Sequence, residues 1–201
     1  MTLISDLYKL KKEDIKKAAN VLVSAYTEDP MMEIVFKDDD KRRIQFEVML
    51  RFCMKYGDVF SPTDNFEGVM AILPHDKADM TVWRILRSGG FFLGMKIASV
   101  SKMMKKSVKL IEETKKNLNL SEYIYLFIIG VSQELQGKGF GGILLRAIFE
   151  KADTERKSMY LETQKESNVT LYEKYGFHVV KKVTLPDPIN LPFWFMVRDA
   201  K

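Results

Sequence analysis

Tyr123-Ile124-Tyr125-Leu126-Phe127-Ile128-Ile129-Gly130-Val131 runs into Ser132-Gln133-Glu134-Leu135 and then into Gln136-Gly137-Lys138-Gly139-Phe140-Gly141-Gly142. The first nine residues are nearly all apolar and rich in β-formers, which predicts a central strand buried on both faces. An amphipathic helix to about Ala152 is expected after the glycines. Glycine at such a turn lets the backbone approach a ligand closely and adopt conformations closed to other residues. Successive N–H groups at a helix start converge on an anion. A phosphate or pyrophosphate is therefore the expected ligand, with Lys138 adding a charge-assisted contact. Four glycines in the six positions 137–142 weigh against a loop that only packs helix on strand.

Downstream, Ser158–Thr163 reads as a strand, Asn168–Tyr175 as a short helix closed by Gly176, and Phe177–Val183 and Phe193–Arg198 as two last strands. Upstream, Ile15, Ala18, Leu22 and Tyr26 recur on one helical face between Lys12 and Tyr26, and Glu28-Asp29-Pro30 ends that helix. Lys41–Tyr56 is a second helix, stopped at Gly57. Val59–Phe60 and Phe66–Leu73 form a hairpin around Ser61-Pro62-Thr63-Asp64-Asn65. Residues 81–119 read as a helical insertion: a short piece over Thr81–Arg87, a break at Gly89-Gly90, then one long helix from Phe91 to Lys116. The lysines of that helix (102, 105, 106, 109, 115 and 116) read as a solvated face over a methionine-rich core side of Met95, Met103 and Met104.

Composition narrows the field. The chain has 201 residues, 46% hydrophobic and 29% charged, which suits one domain with its own core. The net charge is +5. Cys53 is the lone cysteine and His75 and His178 the only histidines, so a disulfide, a metal cluster and a metal cofactor are not expected. Cys53 reads as a buried helix residue, and Trp83 and Trp194 as packing residues. With no bilayer-spanning run and no signal-peptide pattern, a cytoplasmic protein is expected, as a monomer or homodimer without a membrane or nucleic-acid partner.

Two phosphate motifs are testable directly. The P-loop fails, because it requires glycine where Ser132 stands. The dinucleotide pattern matches at Gly137, Gly139 and Gly142, with Glu162 at the end of the next strand. Against it, five residues separate Val131 from Gly137, and 59 residues after Gly142 leave little room for a doubly wound sheet. A nucleotide-dependent oxidoreductase is the third-ranked reading.

The run from Val131 to Gly141 resembles the acetyl-CoA signature of the GCN5-related N-acetyltransferases (GNAT): a strand end, a short loop, then Gln/Arg-Gly-x-Gly-x-Gly/Ala. A second block, Asn168-Val169-Thr170-Leu171-Tyr172-Glu173-Lys174-Tyr175-Gly176-Phe177, is similar to the family's later element, in the same order and spacing. Glu28-Asp29-Pro30 and Gly68–Pro74 look like the matching parts of a bacterial and fungal subgroup, and Gln133 departs from a common proline.

The resemblance implies an α/β (α+β) fold: a mixed, mostly antiparallel sheet flanked by helices, with two splayed parallel central strands, here Tyr123–Val131 and Ser158–Thr163. It implies acetyl-CoA as co-substrate in the gap between them. The backbone of Ile129, Gly130 and Val131 would pair with the pantetheine arm. The N–H groups of Gln136, Gly137, Lys138, Gly139, Phe140, Gly141 and Gly142 would hold the pyrophosphate, and Asn168 would contact pantetheine. Part of the net charge would serve this anionic partner. Tyr172 matches the family's general acid, and Glu162, at the end of the second splayed strand, is the candidate base. The implied activity is acetyl transfer to a primary amine, small-molecule or peptide, whose pocket residues 20–60 and 81–119 would shape. A CoA-binding module without catalysis is the competing class.

Overall fold

The computed structural model describes residues 2–36 and 38–201, with the backbone alone at Ser101. Its elements, in chain order, are β1 (Tyr8–Lys9), α1 (Ile15–Ala25), α2 (Pro30–Val35), α3 (Asp39–Tyr56), β2 (Asp58–Ser61) and β3 (Gly68–Pro74). Helices α4 (Val82–Arg87), α5 (Phe91–Met95) and α6 (Ala98–Asn117) follow. Then come β4 (Tyr123–Val131), α7 (Phe140–Thr154), β5 (Ser158–Thr163), α8 (Glu166–Glu173), β6 (His178–Thr184) and β7 (Pro192–Arg198). The strands form one sheet in the order β1-β2-β3-β4-β5-β7-β6. Every neighbouring pair is antiparallel except β4 and β5.

That one parallel pair is short. Tyr123, Ile124 and Tyr125 pair with Ser158, Met159 and Tyr160, and the ladder stops there. The cause lies on the other side of β4. Ile72 of β3 faces Leu126, whereas Ala71 faces Ile128, so Phe127 is an extra residue in β4. Such a bulge bends the strand and increases its twist. It also shifts the side-chain alternation by one. Before it, Tyr123 and Tyr125 belong to the core under α1 and α3, and Ile124 and Leu126 to the core under α7. After it, Ile128 lies on the α1 and α3 side and Ile129 on the α7 side. Beyond Tyr125 the two parallel strands therefore diverge, each still paired on its outer edge with β3 or β7.

Several elements differ from the sequence reading. Glu28-Asp29-Pro30 does more than end a helix. Asp29 caps α2 by accepting from Met32 N–H at 3.0 Å, and Pro30 takes the first helical position, where its missing N–H costs nothing. The expected long helix from Phe91 is two helices that part at Lys96 and Ile97, so Met95 is 61% exposed and no core residue. Met103 and Met104 do pack on the core. Lys115 leaves the solvated face. It pairs with Asp79 at 3.3 Å and lies 5.7 Å from the centre of the Tyr125 ring. Trp194 is buried, but Trp83 is 74% exposed and packs little.

The charge distribution also needs revision. Residues 81–119 hold nine basic and two acidic residues, a net +7, while the rest of the chain sums to −2. Most of the basic excess therefore sits on α4–α6, while Arg146 stands beside Gly142 and Lys165 lines the cavity at the glycine-rich turn. No helix among the described residues is long and apolar enough to cross a membrane.

Helix α1 lies directly on the divergent half of β4. A Cβ at Gly130 would sit 2.8 Å from the Ala25 Cβ and 3.1 Å from the Tyr26 ring. Gly130→Ala is expected to lower stability by about 1–3 kcal/mol, as overpacking does. A thermal melt reads this directly, and an unchanged Tm would contradict this packing.

Candidate active site

The glycine-rich turn takes its shape from two left-handed residues, Gly137 at φ +76° and Gly139 at φ +89°. A side chain at either would be strained. Gly139 immediately precedes α7 and its carbonyl accepts from Ile143 N–H at 3.1 Å. The N–H groups of Phe140, Gly141 and Gly142 have no partner within the helix and stand at its positive end. The preceding loop is fastened to the body: Ser132 N–H donates to the Glu67 carbonyl at 3.1 Å, and Gln133 N–H to Ser24 Oγ at 3.1 Å.

This turn floors a cavity of about 520 Å³ between β4 and β5. Its lining includes Ile129, Gly130 and Val131, the turn residues Gln136, Gly137, Gly139, Phe140, Gly141 and Gly142, and Asn168 and Tyr172 from α8. Lys138 is exposed and outside that lining, and its N–H already donates to the Leu135 carbonyl. Gln136 Nε2 donates to the Val131 carbonyl at 3.2 Å, and Tyr26 Oη donates to the Ile129 carbonyl at 3.0 Å. A strand residue presents its N–H and carbonyl on the same edge. The N–H groups of Ile129 and Val131 accordingly face the gap. Asn168 Nδ2 donates to Thr163 Oγ1 at 3.1 Å, tying α8 to the end of β5. Tyr172 is buried, which pushes its hydroxyl up to about 12 and keeps it protonated at neutral pH.

A second cavity, of about 240 Å³, opens from the first on the α1 and α3 side of the sheet. The two share Tyr26, Phe127, Ile128, Glu162 and Gln164. Glu162 is thus at the junction. Tyr125 donates to its Oε2 at 3.0 Å and Tyr160 to its Oε1. Burial raises the Glu162 carboxyl above the usual carboxylate range, and the Tyr160 bond, the Lys115 charge and the Tyr125 bond act in the opposite sense. Glu162 follows Tyr160 by two residues and so shares its face of the sheet, while Tyr172 belongs to the core on the opposite face.

Gln164 and Asp29 were not among the expected site residues. Gln164 Nε2 donates to Asp29 Oδ2 at 2.7 Å, which turns the amide oxygen away from Asp29. Asp29 is a buried carboxylate, raised by desolvation, that both caps α2 and holds this amide. The alternation of a strand from Glu162 to Gln164 and the Asp-Pro helix start were the available signals. Among the described residues no group of three or more His, Cys, Asp or Glu is placed to hold a metal. Cys53 is fully buried, its thiol pushed up by desolvation, and lines neither cavity.

Residues 107–179 match the family model described as Acetyltransferase (GNAT) domain. A Schizosaccharomyces pombe protein named as an uncharacterized N-acetyltransferase is 28% identical over 207 residues, spanning 96% of this chain and 83% of its own. The solved structure of arylalkylamine N-acetyltransferase 2 from Aedes aegypti superposes with a TM-score of 0.61 at 12% identity, over 97% of this chain and 98% of that one. That of a Drosophila melanogaster polyamine N-acetyltransferase gives 0.59 at 10% identity, over 96% and 98%. The sheet split between two parallel strands, with a helix start aimed into the split, is the acetyltransferase fold of these structures. The chain is thus similar to the GCN5-related N-acetyltransferases in fold and over residues 107–179.

Gly139→Asp is expected to weaken CoA binding by at least about tenfold, through left-handed strain and like charge near the pyrophosphate. Gly139→Ala, carrying the strain alone, should lose less. Calorimetric titration with CoA checks both, and equal affinities in all three proteins would contradict the assignment. Asp29→Asn should retain the helix cap but let the Gln164 amide reverse, presenting NH₂ to the junction. The expected result is a near-native Tm with turnover lowered about tenfold or more, the cost of one misdirected hydrogen bond to a charged group.

Proposed function

We propose that the protein transfers an acetyl group from acetyl-CoA to a primary amine by direct attack, in the reducing cytoplasm that a lone, buried thiol suits. The observation that carries this is the junction of the two cavities at Glu162 and Gln164, with Tyr172 in the cofactor-side cavity. The residues present fit CoA: the turn offers free N–H groups at a helix start, and the free edge of β4 offers those of Ile129 and Val131.

An amine of pKa about 10.4 is neutral only about once in 10³ at pH 7, so a base is needed at the point of attack. Glu162, fixed by two tyrosine hydroxyls in a buried setting, takes the proton. Gln164, its amide oriented by Asp29, accepts from the same nitrogen and aims its lone pair. The nitrogen forms a bond to the thioester carbonyl carbon. Negative charge gathers on the carbonyl oxygen, where a strand N–H at the gap stabilises it. The carbon–sulfur bond then breaks, and the departing thiolate takes its proton from Tyr172. The second proton shed by the nitrogen as it becomes an amide restores Tyr172 through solvent in the gap, while Glu162 releases its own proton to solvent. Base and acid lie on opposite sides of the sheet, so proton removal and proton delivery do not compete for one group.

Tyr172→Phe should lower kcat by about 10² or more while leaving the CoA Kd nearly unchanged. An unaltered rate removes Tyr172 from the mechanism. Glu162 must be ionised to act, so the rate rises with pH through its pKa. Because that pKa is raised, the acid limb should lie above the ordinary glutamate value of about 4.3. Glu162→Gln should abolish this limb together with most of the activity, and a limb that persists in the variant would reassign the base. Absence of thiol release with every primary amine would favour a binding module instead.

A further inference from the structure

The second cavity is unevenly lined. Its walls come from α2 (Met31, Met32, Val35), α3 (Phe46, Met49), α6 (Val100, Met104, Ile111) and β7 (Phe193). All of these are apolar. The polar groups, Tyr26, Tyr125, Glu162 and Gln164, cluster at the junction with the first cavity, and Gln45 is the remaining polar side chain. Glu162 is the one carboxyl group among the described lining residues. An ammonium group at the junction therefore meets a carboxylate, whereas a second cation held against the apolar walls would meet methionine and phenylalanine with no counter-charge. Burying such a charge unpaired is strongly unfavourable. Methionine is flexible and polarizable and packs well on both alkyl and aromatic bodies.

From this we infer that the second cavity is the acceptor site and that it selects primary amines carried on a single uncharged, apolar arm, excluding di- and polyamines. A cavity of about 240 Å³ is of the order of a short alkyl or aryl arm, such as that of hexylamine or 2-phenylethylamine. The two solved relatives, one named for arylalkylamines and one for polyamines, superpose almost equally well and do not discriminate between these classes. The walls of the cavity do. This inference rests on the acetyl-transfer reading for its turnover test but not for its binding test.

The discriminating pair is hexylamine and 1,6-diaminohexane, equal in chain length and different by one terminal ammonium. With acetyl-CoA, kcat/KM is expected to be at least tenfold higher for hexylamine, and to rise from propylamine to hexylamine by up to about fourfold per methylene. Met104→Glu places a second carboxylate on the α6 wall and should narrow or invert the preference. Met49→Glu, on the α3 wall, provides the same test should the first variant fold poorly. Calorimetry of the two amines with the CoA-loaded protein reads the preference independently of chemistry. Absence of thiol release with preserved hexylamine binding would overturn the transfer reading and leave the acceptor site standing. Equal or tighter binding of 1,6-diaminohexane to the unmodified protein, or no binding of hexylamine, would overturn the inference itself.

Discussion

One inserted residue organises this molecule. Phe127 has no partner of its own on β3, and the strand that carries it turns away from β5 where the parallel ladder ends. A sheet interior normally leaves no backbone unpaired, because each buried N–H or carbonyl left without a partner costs free energy. Here the edges of β4 and β5 face one another across open space. Side chains such as Tyr26 and Gln136 satisfy two of the exposed carbonyls. The remaining N–H groups of Ile129 and Val131 are what an extended, amide-bearing arm would pair with.

The same insertion joins the two halves of the chemistry. Because the sheet parts, the cavity on the α7 and α8 side communicates with the cavity on the α1 and α3 side. Tyr172 lines the cavity on the α7 and α8 side, and Glu162 stands where the two cavities meet. Glu162 alone would be a poorly placed buried charge. The two tyrosine donors and the nearby Lys115 hold it ionisable, and Asp29 does the corresponding work for Gln164. The α6 lysine expected to be a solvated surface residue thus contributes to the electrostatics of the site.

Much of this was legible in the sequence because local rules carried it. The strands at 123–131 and 158–163 are copied from their apolar patterns, and the left-handed glycines at 137, 139 and 176 sit where turn chemistry demands them. The resemblance over two short motifs gave the fold and the list of residues around the gap. What escaped notice depended on contacts distant in sequence. The Phe127 bulge shows only in the register against β3. The Asp29–Gln164 bond spans 135 positions, and the acceptor walls come from four separate elements. Met95 and Trp83 misled for the opposite reason: residue type suggested burial, but α4 and α5 are too short and too peripheral to provide it. Lys138 stands beside the expected phosphate position in sequence, yet the left-handed turn on either side of it directs it to solvent.

The central claim is that the gap between β4 and β5 is the CoA site. Hydrogen exchange of backbone amides with and without acetyl-CoA tests it most directly. The account predicts added protection at Ile129 and Val131 on the free edge of β4 and at residues 139–142 on the turn, with β6 unchanged. Exchange unaltered at both places under saturating acetyl-CoA, or protection confined to α4–α6, would contradict it.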